Sequence, residues 1–185
     1  MTLIAVAVPA ALAGVALIGI YSSLAELRVR SDSAWADIDV QLKRRHDLIP
    51  SLVEAVKGYA ADEKGMFENI AKLRSLAMQA GTPEDKAQAE NRLSGALKSL
   101  FGPAENYPRL RASEQFTSLR GSLNSIEENI QNTRRRYNAV VRDLNTRIQS
   151  FPMNIVAVVF GFKTRQFFDQ QSAVSTQQSA NETFS

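Results

Sequence analysis

The stretch RRHDLIPSLVEAVKGYA, residues 44 to 60, decides the fold because it carries a helical apolar pattern across a proline. Ile49, Leu52 and Val56 lie three and four residues apart, which is the spacing of one face of an α-helix. The pattern keeps its phase across Pro50. We therefore predict that the helix kinks at this residue instead of ending there, because proline removes one backbone hydrogen bond and crowds the preceding turn.

The same spacing continues on both sides of this stretch and predicts one helix over residues 33 to 80. The apolar positions, with a period near 3.5, are Trp35, Ile38, Leu42, Ile49, Leu52, Val56, Tyr59, Met66, Ile70, Leu73 and Ala77. Arg45 and Glu63 occupy two positions of this series. Such side chains either reach solvent from the edge of a core or lie inside it and fix the helix register. We take both as candidate polar core residues, and the pattern alone predicts that Arg45→Leu raises stability but loosens the register.

A second helix of similar length is predicted from Phe116 to Phe151, where Pro152 ends it. Its apolar series is Phe116, Leu119, Leu123, Ile126, Ile130, then Thr133, Tyr137, Val140, Leu144, Ile148 and Phe151. A helix of about 40 residues is about 60 Å long. Two long helices with such faces predict an antiparallel bundle, because neither face is stable in water.

Shorter helices complete the predicted bundle. Thr82 precedes Pro83 and two acidic residues, which is typical of a helix start, and this helix is expected to run to about Phe101. Asn154 is expected to cap a last short helix. The fold class is therefore all-α, with a helical bundle over residues 29–169 and a polar tail over residues 170–185 that is rich in Gln, Ser, Thr and Asn and predicted to be disordered.

The first 25 residues carry no charged side chain, and the first charges are Glu26, Arg28 and Arg30. A run of this length can cross the hydrocarbon core, which needs about 20 residues. We predict a transmembrane anchor over residues 1–28, with Tyr21 as the interfacial aromatic and the two arginines as its flank. A cleaved signal peptide is the alternative, but no Lys or Arg precedes the apolar run. The basic residues all follow the run, so the positive-inside rule places the bundle in the cytoplasm and the N-terminus outside.

The residue types of this chain do not indicate a catalytic site. The chain has no cysteine and a single histidine, His46, which excludes thiolate nucleophiles and the paired Glu-x-x-His pattern of di-iron bundles. No phosphate-binding loop or H-E-x-x-H motif occurs. We therefore predict no catalytic residues, no cofactor and no metal. The basic cluster RRRYN, residues 134 to 138, lacks interleaved aromatic residues, and nucleic acid is not an expected partner.

The segment IVAVVFGF, residues 155 to 162, is apolar but too short to cross a membrane. Two alternatives stay open. The segment completes the bundle core, or it forms an interfacial or self-association patch close to the membrane. The candidate residues of such a patch are Ile155, Val156, Val158, Val159, Phe160 and Phe162.

Several motifs in a fixed order resemble the LemA family: RRHDLIPSLVEAVKGYA, then YPRLRASEQFTSL, NTRRRYNAVVRDLNTRIQSFP and IVAVVFGF. The resemblance runs from about Trp35 to Phe168. It implies a single-pass protein of the bacterial inner membrane with a cytoplasmic helical bundle. Ser51 and Asp62 depart from the residues that are common in the family at these positions, namely Asn and His. The family has no established activity to carry over, and its gene setting implies an association with membrane proteins and membrane proteases.

We therefore expect a non-enzymatic, membrane-anchored scaffold or adaptor. Its expected partners are membrane lipids and further copies of the same chain in a homo-oligomer. The alternative is an accessory or regulatory subunit of a membrane protease or of an envelope-stress system. A hydrolase that depends on His46 or Asp47 is the third and least favoured hypothesis.

Overall fold

The computed structural model describes residues 2–60, 63–102 and 107–168, without the side chains of residues 2–11 and 13. The described residues form helices and connections with no strand, so the predicted all-α class is confirmed. The helices are α1 (Thr2–Lys57), α2 (Lys64–Gln79), α3 (Pro83–Phe101), α4 (Pro108–Arg111), α5 (Glu114–Gln149) and α6 (Met153–Val159).

Helix α1 differs from the sequence-based prediction at both ends. It starts at Thr2 and passes through Pro50, but it ends at Lys57 instead of continuing to residue 80. The prediction of one helix over 33 to 80 was therefore wrong beyond this point. Gly58 follows the last helical residue, and glycine costs about 1 kcal/mol in a helix relative to alanine. The N–H groups of the next two residues, Tyr59 and Ala60, both donate to Val56 O and close the helix end. The bend at Pro50 stays a prediction.

The predicted anchor over residues 1–28 depends mainly on side chains at positions 1–11 and 13, which lie outside the described residues. In the described part of the chain, no helix combines the length and the hydropathy needed to cross a membrane. The anchor therefore stays a prediction. Asp62 and the predicted disordered tail over 170–185 also lie outside the described residues.

The chain divides into two compact units, and both long helices contribute to each of them. The first unit contains Met1–Asp37 and Arg135–Gln166, and the second contains Ile38–Arg134 together with the residues from Phe167 onward.

In the second unit, the predicted apolar face of α1 is buried from Ile38 to Val56. It packs with α2, α3, α4 and the first part of α5, and the buried core residues are Ile49, Leu52, Val56, Ala60, Phe67, Ile70, Ala77, Leu93, Ala96, Leu97, Leu100, Leu110, Phe116 and Leu123. Helix α3 begins as predicted. The Thr82 hydroxyl accepts a hydrogen bond from the Asp85 N–H at 3.1 Å, and Pro83 is the first helical residue.

In the first unit, α1 and α5 run antiparallel. Arg147 donates to the Ser23 hydroxyl, and Arg136 Nη1 lies 3.4 Å from Asp37 Oδ2 at the other end. The rings of Trp35 and Tyr137 pack between these two contacts, with centroids 5.3 Å apart. The predicted second stripe lies on one continuous helix, but this helix ends at Gln149, and the predicted last position, Phe151, is exposed. The buried positions of α5 in this unit are Tyr137, Val141 and Leu144, with Val141 buried in place of the predicted Val140.

Candidate functional site

A cluster of charged side chains lies inside the second unit, and Arg45 is its centre. The Arg45 side chain is 1% exposed. Its Nη1 donates to Glu127 Oε1 at 2.5 Å and to the Ser94 hydroxyl at 2.6 Å. Its Nη2 donates to the Glu90 carboxylate and, at 3.2 Å, to the Glu90 backbone carbonyl. The α1 position that Arg45 occupies in the apolar series thus faces α3 and α5. We call Arg45, His46, Glu90, Ser94 and Glu127 the polar cluster.

His46 belongs to this cluster through Glu90. Its Nε2 lies 2.8 Å from Glu90 Oε1, and both side chains are buried. Neither atom has another hydrogen-bond partner among the described residues. Burial by itself raises the pKa of Glu90, but the contact with His46 and the charge of Arg45 more than offset it. The pKa of Glu90 therefore lies below its usual value of 4.5.

The contacts in the polar cluster pair opposite charges around Arg45. The Ser94 hydroxyl contacts Arg45 and Glu127, whereas the His46 ring faces Glu90. The Glu127 oxygen that Ser94 contacts is itself paired with the Arg45 guanidinium, which lowers its basicity. Within the residues that the structure describes, no group of three or more acidic or histidine side chains could hold a metal ion. This geometry favours a structural role for the cluster.

The two sequence-predicted polar core residues lie in different places. Arg45 is buried, whereas Glu63 is exposed at the start of α2, where its carbonyl accepts from Met66 N and Phe67 N. The break after Lys57 moves Glu63 out of the apolar series, so the structure does not place it in the core. Whether Arg45 sets the helix register stays a prediction.

Glu90, Ser94 and Glu127 were not singled out from the sequence. Glu90 lies three residues from both Ala87 and Leu93, which belong to the buried face of α3. A carboxylate inside such an apolar series is the same signal that marked Arg45 on α1. The sequence signal for this ion pair was therefore a positive charge, Arg45, and a negative charge, Glu90, on the apolar faces of two predicted neighbouring helices.

A second candidate site lies in the first unit, where α6 packs on α1. Val156 and Ala157 are buried against Leu24. The opposite side of the segment is exposed, and Val158 is 82% accessible to solvent. We call its exposed residues the apolar tip: Ile155, Val158, Val159 and Phe160. The segment 155 to 162 therefore has one face in the core and one face exposed. Whether the exposed face binds a partner stays a prediction.

Tyr21 of α1 connects the apolar tip to the rest of the apolar surface. Its ring lies 4.9 Å from the ring of Phe160 and 5.7 Å from that of Phe162. Phe151 is exposed as well. Among the predicted flanking residues, Arg30 pairs with Glu26 at 2.6 Å on the exposed surface of α1. Tyr21 and the apolar tip therefore form one apolar surface.

The start of α6 differs from the prediction. The helix begins at Met153, directly after Pro152, and not behind a cap at Asn154. The Asn154 N–H donates to the Ser150 carbonyl at 2.9 Å. Its side-chain oxygen is buried and has no partner among the described residues. Asn154 is thus a helical residue and does not cap α6.

The end of α6 is closed by a Schellman motif. Gly161 has a φ of 70°, a left-handed conformation that glycine adopts without steric cost. The Phe162 N–H donates to Ala157 O at 2.8 Å, and the Gly161 N–H donates to Val158 O at 3.3 Å. Phe162 packs back on the buried side of α6. The chain direction after the apolar tip is therefore well defined.

A pocket of about 200 Å³ lies directly after this turn. Its lining includes Arg28 from α1, Leu144 from α5, and residues 161 to 165. Arg165 is held in place, because its guanidinium lies 2.7 Å from Asp32 Oδ1 and donates to the buried Ser31 hydroxyl. The backbone N–H of Arg165 also donates to Asn145 Oδ1 at 2.8 Å. We call this the basic pocket.

The sequence pattern of the LemA family matches residues 34–182. The chain belongs to the LemA family. The family range begins after Arg30 and includes both the polar cluster and the apolar tip. The first 33 residues lie outside it.

Curated relatives of this LemA-family chain are 22–27% identical to it. Magnetosome protein MamQ 2 of Paramagnetospirillum magneticum is 23% identical over 182 residues, which cover 84% of this chain and 67% of the relative. Magnetosome protein MamQ of Magnetospirillum gryphiswaldense is 22% identical over the same shares. Protein LemA of Metamycoplasma hominis is 27% identical over 119 residues, 62% of this chain and 53% of the relative. The chain thus spans about two thirds of the MamQ proteins and about half of the mycoplasma protein.

Proposed function

We propose that this LemA-family chain is a non-catalytic scaffold of a bacterial inner membrane, held there by the first part of α1 and assembled with copies of itself. The observation that carries this proposal is the apolar surface of α1. Leu12, Val15, Leu17 and Ile18 are exposed, and no charged residue precedes Glu26. Exposed apolar area is unfavourable in water by about 25 cal/mol per Å², so such a surface favours burial in lipid.

The charge distribution supports an orientation with the bundle in the cytoplasm. The basic residues that follow the uncharged run most closely are Arg28, Arg30, Lys43, Arg44 and Arg45. Basic residues near the end of a span are retained on the cytoplasmic side. Arg45 is buried in the polar cluster, and the other four are exposed and supply the bias.

We propose a non-catalytic role because of the contacts within the polar cluster. His46 faces a carboxylate and not a hydroxyl, and Arg45 contacts Glu90, Ser94 and Glu127. A guanidinium stays charged at all ordinary pH values and does not transfer protons. The cluster is therefore suited to holding three helices together.

Membrane anchorage is tested by extraction at alkaline pH. The parent chain is expected to stay with the membrane pellet. The double variant Val15→Lys/Ile18→Lys is expected to be released, since each lysine within a span costs about 2.5–3.5 kcal/mol. Val29→Lys is the matched control, because Val29 is an exposed apolar residue of α1 beyond the uncharged run. Release of the parent chain itself would contradict anchorage.

Self-assembly is tested by the mass of the detergent-solubilised full chain, measured by light scattering. The exposed apolar residues Val40, Leu76 and Met78 of the second unit are candidate contacts between copies. A defined assembly of several chains is the expected result, and Met78→Glu is expected to lower its mass. A monomer that co-purifies with one membrane protein would instead favour the accessory subunit of a membrane protease or envelope-stress system.

A further inference from the structure

We propose that the apolar tip and the basic pocket together bind one anionic phospholipid at the bilayer surface. In this arrangement the acyl chains contact the apolar tip, and the phosphate lies in the basic pocket. The inference rests on the proposed anchorage only in that the first part of α1 brings the site to the membrane.

The apolar tip has the exposure expected of a surface that enters lipid. Its four side chains are more than half exposed, whereas Val156 and Ala157 on the other side of α6 are buried. An apolar helical face of this kind inserts at the boundary between headgroups and acyl chains. Its contact with Tyr21 makes it continuous with the exposed apolar surface of α1.

The turn after α6 fixes the basic pocket next to the apolar tip. Gly161 and Phe162 line the pocket and also form the Schellman motif that ends α6. Phe160 lies on the apolar side of this turn and Lys163 on the basic side. A charged headgroup and its own acyl chains are separated in the same way, so one amphipathic molecule can meet both surfaces.

The charges of the basic pocket suit a phosphate. Arg165 is paired with Asp32, but no ion pair joins Arg28 or Lys163 to an acidic side chain among the described residues. Two cations without a described ion-pair partner, next to a positioned third cation, attract an anion. Basic pockets on the cytoplasmic side of membrane proteins bind anionic lipid headgroups by this chemistry.

The spacing along α1 agrees with this placement. Arg28 follows Tyr21 by seven residues, which is about 10 Å at 1.5 Å per residue. Aromatic side chains of the Tyr type favour the interface between headgroups and hydrocarbon. With Tyr21 at that interface, Arg28 and the basic pocket lie at the level of the headgroups or just outside them, and the apolar tip lies beside Tyr21.

The chain has no cysteine, so Val158→Cys provides a single labelling site on the exposed face of the apolar tip. The full chain with an environment-sensitive fluorophore at this position is reconstituted in vesicles of phosphatidylcholine with an equal share of phosphatidylglycerol. Quenching is measured with an aqueous quencher and with spin-labelled phosphatidylglycerol or spin-labelled phosphatidylcholine. The expected result is protection from the aqueous quencher and stronger quenching by the anionic lipid.

The contribution of the basic pocket is tested by Lys163→Glu in the same labelled chain. Loss of one basic contact is expected to lower the preference for the anionic lipid about fivefold, and charge reversal by at least this factor. Lys72→Glu is the matched control, because it changes the net charge equally on an exposed site of α2. It should leave the preference unchanged.

Two results would overturn the proposal and differ from a failure of anchorage. A label that is open to the aqueous quencher in vesicles that retain the protein excludes insertion of the apolar tip. Equal quenching by the two lipids, or an equal response to Lys163→Glu and Lys72→Glu, excludes a headgroup site. Loss of the parent protein from the vesicles at alkaline pH contradicts only the anchorage. Quenching of the label at neutral pH, before this extraction, reports lipid binding by the apolar tip independently of anchorage.

Discussion

The two units differ in what they bury. The second unit encloses a guanidinium, a carboxylate and an imidazole among apolar helices, whereas the first unit leaves a row of valine, isoleucine and phenylalanine side chains exposed. Both arrangements are unfavourable for an isolated water-soluble domain. A buried charge requires partners, and an exposed apolar face favours a partner or a membrane.

The difference between the two units shows that the polarity of a side chain does not by itself decide whether it is buried or exposed. Arg45 is buried because Glu90 and Glu127 compensate its charge. Val158 is exposed because the other side of α6 already supplies the contacts with Leu24. Substitutions at the buried polar positions of the second unit are therefore expected to lower stability. Substitutions in the apolar tip are expected to leave stability nearly unchanged.

The largest expected effect comes from breaking the polar cluster. Arg45→Leu should lower the free energy of unfolding by about 3–5 kcal/mol, because Glu90 is left buried without its cation. This reverses the expectation from the sequence pattern, in which no buried partner was considered. The double variant Arg45→Leu/Glu90→Leu should recover most of the loss. Urea denaturation in the same detergent measures both.

Lys43→Leu is the control for this prediction, since it removes an exposed positive charge from the same helix. Its effect should stay within about 0.5 kcal/mol. A double variant that is as unstable as Arg45→Leu would show that the site depends on the arginine itself and not on charge compensation.

A comparable effect is expected from the core of the first unit. Leu144→Ala removes a buried side chain of α5 and should cost about 2–5 kcal/mol. Val159→Ala, at an exposed position of the apolar tip, should change stability by less than about 0.5 kcal/mol. Thermal unfolding of the two variants side by side measures the contrast. Equal losses would mean that the apolar tip is packed in the protein's own core.

The acid sensitivity of the polar cluster should be smaller than the loss caused by Arg45→Leu, because protonation removes only part of the interaction. The pKa of Glu90 lies below 4.5 in the folded state, so between the folded and unfolded values the unfolded chain binds more protons at this residue. Its stabilising contribution is complete above the unfolded pKa and is lost as the pH falls through the folded pKa.

Urea midpoints measured from pH 7 down to pH 3 test this dependence. The parent chain should lose more stability over this range than Glu90→Gln, which has no proton to gain. Parallel curves for the two proteins would exclude Glu90 as a source of acid sensitivity.

The smallest effect is expected at the segment that follows the basic pocket. Burial raises the pKa of Tyr137, so its hydroxyl stays a donor at neutral pH, and it donates to Gln166 O at 2.9 Å. Tyr137→Phe should cost about 0.5–1.5 kcal/mol and speed hydrogen exchange at the Arg165 amide. Tyr59→Phe, at an exposed ring, is the control. An unchanged exchange rate would show that Asn145 alone holds the segment.

Local patterns in the sequence determined most of the helices of this protein. The apolar series on α1 and α5, the Thr82 cap and the helix end before Pro152 depend on residues within a few positions of one another, and such signals survive without tertiary information. The position of Arg45 in its series also marked it as a polar residue of the core face. The break at Gly58 was missed because the series resumes in phase at Met66.

Tertiary structure alone decided which charges meet and which apolar faces stay open. Glu90 lies 45 residues from Arg45 and Glu127 lies 82 residues from it, and such pairs form only when α3 and α5 pack against α1. Likewise, the composition of residues 155 to 162 could not separate buried from exposed positions, since all are apolar. The packing of Val156 and Ala157 on Leu24 decides which residues are buried. When this side of α6 faces the core, its opposite side must face outward.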